Sequence, residues 1–248
     1  FSLIPRNITF SAYKQMLNDP TLMNAMKVSA FITIVGTAAN LVVTLMLAYP
    51  LSRSYLPGRK VFVQLIVFTM IFSAGTIPTY LIVKATGILN TLWALILPSL
   101  VAVYNFIVMK AFFEGLPNDL FESARIDGAG EFKILFSIVL PLSKAIIAVI
   151  ALYALVAQWN SYFNAMIFLT DRSKYPLQLY LREILLTAKT YADTSMVGGD
   201  PEAAAKMEQM VEVIKYGVIV VSTLPVIAIY PFLQKYFVQG VMIGAVKG

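Results

Sequence analysis

The 248-residue sequence contains no cysteine and no histidine. Without cysteine, the chain has no disulfides, no thiol nucleophile and no thiolate metal ligands. Without histidine, it also lacks the side chain that most often moves protons near neutral pH and binds transition metals. Charged residues are scarce too, at 13% of the chain. These absences argue against a catalytic or metal-binding role, so we predict neither catalytic residues nor metal ligands.

A glycine-rich phosphate loop of the form G-x-x-x-x-G-K is absent from the sequence as well. Because that loop cradles nucleotide phosphates, we expect this chain to bind no ATP and no other cofactor itself. The formal net charge is +6. In a chain this apolar, a basic excess reports orientation in a membrane, so we predict no nucleic-acid partner.

Apolar residues dominate instead and fall into long blocks. They make up 59% of the chain, against roughly 45–50% in soluble domains. Five windows carry no charged residue: Val28–Ser52, Val61–Val83, Ala85–Met109, Ala145–Thr170 and Tyr216–Gln234. Each can span a bilayer as a helix of about 20 residues, and none alternates as a barrel strand does. Buried helices of a large soluble protein are the alternative, and five such windows in one short chain count against it.

The windows predict an all-α polytopic membrane protein with one transmembrane domain over residues 1–248. We expect transmembrane helices at 28–52, 61–83, 91–109, 138–168 and 211–236. Residues 1–27 read as an amphipathic segment that enters the first span from outside, with a further helix expected upstream of residue 1. The remaining segments are a polar loop at 116–136, a polar segment at 171–210 and a tail at 237–248.

Charge in the short loops gives the orientation. Arg53–Lys60 holds three basic residues, whereas Lys84–Thr91 holds one. Basic residues concentrate in cytoplasmic loops, so the first loop is predicted to be cytoplasmic. Residues 116–136 and 237–248 then lie in the cytoplasm, and residues 171–210 lie on the opposite side.

The polar loop is the most informative segment. It reads LPNDLFESARIDGAGEFKILFSIVLPL from Leu116 to Leu142. Pro117 suits a first helical turn, and the spacing of Leu116, Leu120 and Ala124 predicts an apolar stripe on a short helix. Gly128 and Gly130 bracket a turn in which glycine takes positive φ readily. Acidic residues outnumber basic ones, which favours a protein partner over lipid headgroups for this helix.

The loop resembles the EAA loop of permease subunits of ATP-binding-cassette (ABC) importers. The similarity is carried by Glu122-Ser123-Ala124, by Gly128 four residues later and by Leu140-Pro141 twelve residues after that glycine. Trp159-Asn160 is a second local match. The C-terminal FVQGVMIGAVKG resembles the tail of carbohydrate-type permeases, the group of the maltose importer's second permease. PLQLYLREIL is similar to a branch linked to complex oligosaccharides and polysaccharides.

This resemblance implies a type I ABC importer permease bundle with a cytoplasmic coupling helix. The implied ATPase-coupling residues are Leu120, Phe121, Glu122, Ser123, Ala124, Asp127 and Gly128, and the implied tail contacts with the ATPase are Gly244, Val246, Lys247 and Gly248. It also implies a second permease forming a pseudo-symmetric heterodimer, two ATP-binding subunits that hold ATP-Mg, and an extracytoplasmic solute-binding protein. The location implied is the bacterial cytoplasmic membrane.

The spans themselves bear on the cargo. The five apolar windows contain no charged residue, which argues against a proton- or sodium-coupled carrier. Asn105, Gln158 and Asn160 either line a translocation path for a sugar or hold helices together, and for Asn40 and Tyr80 we favour the second role. An ABC permease for a polyamine, an inorganic anion or a peptide is the first alternative. A secondary carrier and a polytopic membrane enzyme are weaker ones.

Overall fold

A computed structural model describes residues 18–195, 216–217, 219–228 and 231. Its longest element is α1, Pro20–Ser52, with 33 residues, or about 50 Å of helix. The helix starts where the sequence signals a start: the Asp19 side chain accepts a bond from the Thr21 N–H at 2.8 Å, and Pro20 occupies the first turn. It ends at Arg53, whose N–H bonds the Pro50 carbonyl.

The other helices are shorter and several are paired across a break. Their bounds are α2 Arg59–Ile71, α3 Thr76–Ala85, α4 Trp93–Ser99, α5 Val103–Glu114, α6 Asn118–Ile126, α7 Glu131–Leu142, α8 Lys144–Trp159, α9 Phe163–Phe168, α10 Leu177–Ser195 and α11 Ile219–Ala228. In the described residues only α1 is long and apolar enough to cross a membrane by itself. If each of three bent helix pairs is counted as one span, the described residues contain up to four membrane spans.

The breaks divide windows that hydropathy predicts as continuous helices. The window 61–83 becomes α2 and α3, which meet at 115° near Gly75, where φ is +81°. The window 91–109 becomes α4 and α5, bent by 46°. In 138–168, α7 and α8 meet at 82° just after Pro141, which cannot donate a helical hydrogen bond. Mean apolarity is insensitive to such breaks, so the number of crossings stays a prediction.

The centre of the bundle is α1, which packs against α5 and α8. Its buried side is rich in small and polar residues, which include Ser29, Thr33, Gly36, Asn40, Thr44 and Ala48. Such residues let helices approach closely and bond across the contact. A Cβ added at Gly36 would lie 3.0 Å from the Gln158 side chain of α8, so the two helices approach closely at this glycine.

Asn40 supplies polar partners at the break between α4 and α5. Its side-chain amide donates to the Leu100 carbonyl at 2.9 Å and to the Ser99 carbonyl at 3.4 Å. The break leaves carbonyls without helical partners, and an unpaired carbonyl at membrane depth is costly. The geometry therefore confirms the helix-holding role predicted for Asn40.

At the N-terminal end of α1, the helix is tied to α10. The Ser29 hydroxyl accepts from the Leu177 N–H at 2.7 Å, and the Tyr180 hydroxyl donates to Asp19 at 2.6 Å. The Tyr180 bond is the main cause of a lowered pKa for Asp19, and burial, with Asp19 second, raises the pKa of Tyr180 to about 12. Ser29 and Arg53 are separated by about 36 Å of helix, more than a hydrocarbon core. Thus α10 lies one membrane thickness away from the helices at the other end of α1.

Candidate coupling site

The predicted coupling helix is α6, at the C-terminal end of α1. Pro117 immediately precedes it, and Asp119 and Arg125 place opposite charges in its first and last turns, each complementing the helix dipole. Phe121 and Ala124 face the bundle and are buried in a core shared with the ends of α1 and α5. Of the predicted stripe, Ala124 is buried and Leu116 is partly buried, whereas Leu120 is 37% exposed and the neighbouring Phe121 is buried instead.

The helix ends in a Schellman turn. The Ala129 N–H bonds the Ala124 carbonyl at 2.9 Å, and the Gly128 N–H bonds the Arg125 carbonyl at 3.0 Å. Gly128 has φ +74°, the left-handed conformation that this turn requires. Gly130 has φ −71°, so of the two glycines that bracket the turn only Gly128 has the positive φ that the turn was predicted to favour. An added Cβ at either glycine would meet nothing within 4 Å.

Arg53 joins three elements at this end of the molecule. It is only 6% exposed. Its guanidinium carbon lies 3.9 Å from the centroid of the Phe121 ring, and its Nη2 donates to the Phe113 carbonyl at 2.5 Å. Its Nε also donates to Ser52. The side chain therefore holds α6 and the C-terminal end of α5 against the end of α1.

A second polar cluster fixes the start of α7. The Tyr49 hydroxyl donates to the Glu131 carboxylate at 2.7 Å, and Arg125 forms an ion pair with the other oxygen at 3.1 Å. The Arg125 guanidinium also covers the Tyr55 ring at 4.4 Å. Glu131 lies outside the predicted span at 138–168. Burial raises its pKa, but bonds from Tyr49, Tyr55 and Arg125 outweigh burial and leave the pKa below its usual value.

Ion pairs tie the first loop to the end of α5. Glu114 pairs with Arg59 and, at 2.8 Å, with Lys110. A polar groove of about 320 Å³ lies between this loop and α6. Its lining includes Arg53, Glu122 and Arg125. The groove places the first loop beside the helix predicted to meet the ATPase.

The outer face of α6 is exposed. Ile126 is 86% exposed and Leu120 37% exposed. Glu122, Ser123 and Asp127 are also exposed, with the Ser123 hydroxyl bonded back to the Asp119 carbonyl. Within the described residues, the Glu122 carboxylate makes no hydrogen bond or ion pair. A rigid helix thus presents two apolar side chains and an unpaired carboxylate to its surroundings.

The predicted site residues separate into two sets on α6. Phe121, Ala124 and Gly128 determine how the helix is held, whereas Leu120, Glu122, Ser123 and Asp127 are available for contact. Sequence reasoning missed the residues that hold this helix: Arg125 in its last turn, and Tyr49, Arg53, Tyr55 and Glu131 outside it. Their only signals were two tyrosines and an arginine at the end of an apolar window, beside a loop that carries a glutamate.

The three candidate path residues occupy different positions. Asn105 is buried and donates to Asn40 at 3.4 Å. Gln158 is 9% exposed and donates to the Ser99 hydroxyl at 2.8 Å. Both therefore bond within the bundle, while Asn160 is exposed at the break between α8 and α9. A role in translocation stays a prediction for all three.

The tail residues Gly244, Val246, Lys247 and Gly248 lie outside the described residues, as do parts of 1–27, 171–210 and 211–236.

Comparison with known proteins identifies the family. Residues 54–243 match the family described as "Binding-protein-dependent transport system inner membrane component". The match includes α6 and its glycine turn. The chain belongs to this family. Membership confirms the predicted type I ABC permease fold and makes the chain a membrane component of a transport system.

Two individual relatives are similar to this chain over its whole length. Protein LplC of Bacillus subtilis (strain 168) is 45% identical over 100% of this chain and 82% of its own length. The polygalacturonan/rhamnogalacturonan transport system permease protein YtcP of the same organism is 42% identical over 100% of this chain and 85% of its own.

A solved structure has the same fold. It is the crystal structure of a bacterial ABC transporter involved in the import of the acidic polysaccharide alginate. One of its chains superposes with a TM-score of 0.83 and 34% identity, over 95% of this chain and 82% of that one. The similarity therefore extends well beyond the coupling loop.

Proposed function

We propose that this chain is one permease subunit of an ATP-driven importer that carries oligosaccharides across the bacterial cytoplasmic membrane. It works beside a second permease, with two ATPase subunits on the cytoplasmic side and a solute-binding protein outside. ATP hydrolysis takes place on the ATPase subunits, and this chain transmits its effect to the helices that enclose the path.

The observation that carries the proposal is the way α6 is held. Its inner face is fixed by the Phe121–Arg53 stack and by the turn at Gly128, whereas its outer face carries the unpaired Glu122 and the exposed Ile126. A helix that only rested on lipid headgroups needs no rigid mounting and favours basic residues on its polar face. An acidic helix that is packed firmly against the bundle can bind in the groove of a partner protein. Because it is attached to α1 and α5, a motion of the partner can then move these two helices.

The choice of cargo rests on the relatives and on the spans. The sugar polymers that YtcP and the alginate transporter carry support a sugar polymer or its fragments as the cargo. The windows between the loops carry amides and aromatic rings, which suit hydroxyls and apolar sugar faces. We therefore propose oligosaccharides rather than polyamines, inorganic anions or peptides.

The test is reconstitution of the complete transporter. The chain is co-purified with its neighbours, placed in vesicles and assayed for ATP hydrolysis with a panel of oligosaccharides, a polyamine and a peptide mixture. We expect hydrolysis to rise only with oligosaccharides and their binding protein. Stimulation by a polyamine or peptide alone contradicts the cargo. Solute accumulation by this chain in ATPase-free vesicles contradicts the mechanism.

A further inference from the structure

A cluster of polar and aromatic side chains, three of them exposed and one half-buried, lies at the end of the bundle opposite α6. Gln178 and Arg182 sit four residues apart on α10, so they share one face of that helix. This face meets the break after α8, where the Gln178 amide donates to the Asn160 side chain at 3.4 Å. Tyr162, 43% exposed, lies in the same break. We call these four residues the α10 cluster.

Arg182 is the charged member of the cluster. Its guanidinium carbon lies 5.8 Å from the centroid of the Tyr162 ring, and Nη1 approaches the Met166 sulfur at 3.1 Å. Within the described residues it has no carboxylate partner, whereas the neighbouring Glu183 pairs with Arg172 at 3.5 Å. An arginine whose face rests on an aromatic ring keeps N–H groups at its edge for a planar anion.

The surroundings of Arg182 match a carboxylated sugar. A guanidinium binds a carboxylate through two parallel hydrogen bonds, which a neutral hydroxyl cannot reproduce. The amides of Asn160 and Gln178 each donate and accept, as sugar hydroxyls require. The exposed Tyr162 ring offers an apolar face for sugar C–H groups. The Arg182 guanidinium, the amides of Asn160 and Gln178 and the Tyr162 ring therefore lie close together on one part of the surface.

We propose that the α10 cluster binds acidic oligosaccharides, with Arg182 pairing with a uronate carboxylate as the cargo enters the permease. The inference rests on the proposed function and deepens it by naming the cargo class. Asn160 then acts at the mouth of the path, while Asn105 and Gln158 hold the bundle. Arg182 is a specificity residue, because it distinguishes a charged sugar from a neutral one of the same shape.

The experiment compares two probes with the same sugar backbone, one charged and one neutral: trigalacturonate and its fully methyl-esterified form. Uptake into vesicles is measured with the complete transporter and saturating binding protein, so that preferences of the binding protein are common to all variants. The variants are Arg182→Gln and Arg182→Lys. The matched control is Arg172→Gln, which removes an arginine that is 79% exposed at the same end of the molecule.

We expect Arg182→Gln to reduce trigalacturonate uptake tenfold or more, the effect of losing one charge-assisted pair. Uptake of the ester should fall much less, because the ester has no carboxylate for the guanidinium to pair with. Arg182→Lys keeps the positive charge but loses the planar guanidinium, so it should reduce trigalacturonate uptake less than Arg182→Gln does. Arg172→Gln should behave like the wild type with both probes.

Several results overturn the inference. These are equal loss for both probes, unchanged uptake of trigalacturonate, or a wild-type preference for the ester. Failure of Arg182→Gln to assemble with the second permease also overturns it, because Arg182 is then an interface residue. A wild-type transporter that imports neither probe, and whose ATPase no oligosaccharide stimulates, contradicts the proposed function instead.

Discussion

The guanidinium of Arg53 stacks on the ring of Phe121, with 3.9 Å between its central carbon and the ring centroid. Arg53 follows α1 directly, and Phe121 is the most buried residue of α6. The same guanidinium donates to the Phe113 carbonyl near the end of α5. The predicted coupling helix is thereby attached to two helices of the bundle through one buried side chain.

Replacing Arg53 should uncouple the transporter. In Arg53→Met the stack and the bond to Phe113 are lost, which removes about 2–4 kcal/mol from the attachment of α6. We expect basal ATP hydrolysis by the complex to persist and substrate-stimulated hydrolysis to fall severalfold. The thermal midpoint of the purified permease pair should fall as well.

Arg59→Met is the matched control for this prediction. Arg59 belongs to the same loop, but it is partly exposed and pairs with Glu114 at the surface. Such surface ion pairs contribute about 0–1 kcal/mol to stability, so substrate-stimulated ATP hydrolysis should stay near that of the wild type. Equal effects of the two substitutions would mean that loop charge matters rather than the buried stack.

The turn after α6 gives a second prediction. Gly128→Ala places a Cβ on a residue at φ +74°, which costs about 1 kcal/mol, and the branched side chain of Gly128→Val costs more. Since an added Cβ meets nothing within 4 Å, the effect is backbone strain alone. We expect stimulated ATP hydrolysis to decrease from glycine to alanine to valine.

Gly130→Ala is the control for the strain argument. Gly130 lies two residues away with φ −71° and equally open space. Alanine is compatible with that backbone, so wild-type activity is expected. Loss of activity in Gly130→Ala equal to that in Gly128→Ala would show that the surface contacts of the turn, and not its conformation, are at stake.

The sequence predicted the local features of the site well. The burial of Ala124 in the apolar stripe and the turn at Gly128 follow from helix periodicity and from glycine's tolerance of positive φ. Each depends on residues within one turn of each other. Such local rules need no knowledge of the rest of the fold.

The residues that hold the site were not predictable in the same way. Arg53 and Phe121 are far apart in sequence, and in the sequence Arg53 looks like any basic residue of a cytoplasmic loop. Glu131 likewise looks like a surface acid, yet it receives bonds from Tyr49 and Arg125. The bend at Gly75 was missed because apolarity averaged over a window does not depend on backbone direction.

Glu122 and Glu131 should have opposite phenotypes. Glu122 has no partner among the described residues, so Glu122→Gln should leave the thermal midpoint of the permease unchanged. It should weaken binding of the ATPase by the value of a charge-assisted bond, about 1.5–3 kcal/mol. Glu131→Gln removes the charge that Arg125 pairs with inside the permease, so it should lower the thermal midpoint first.

Both quantities can be measured on the same preparations. ATPase binding is followed by titration onto the permease pair in nanodiscs, and stability is followed by thermal unfolding of that pair alone. A drop in thermal midpoint for Glu122→Gln, or unchanged ATPase affinity, would show that its carboxylate is not a contact residue.

Cysteine labelling gives the last prediction, which concerns topology. These 248 residues contain no cysteine. A single cysteine introduced by Ser54→Cys, Ser123→Cys or Ser195→Cys is therefore the one thiol within them that a maleimide can label. Ser54 and Ser123 are exposed near the α6 end of α1, while Ser195 ends α10, the helix tied to the other end of α1. A membrane-impermeant maleimide applied to intact cells should therefore label only Ser195→Cys. Permeabilised cells should label all three, which shows that each thiol is reactive. Labelling of Ser123→Cys from outside would place α6 on the wrong side for an ATPase and would remove the basis for calling it a coupling helix.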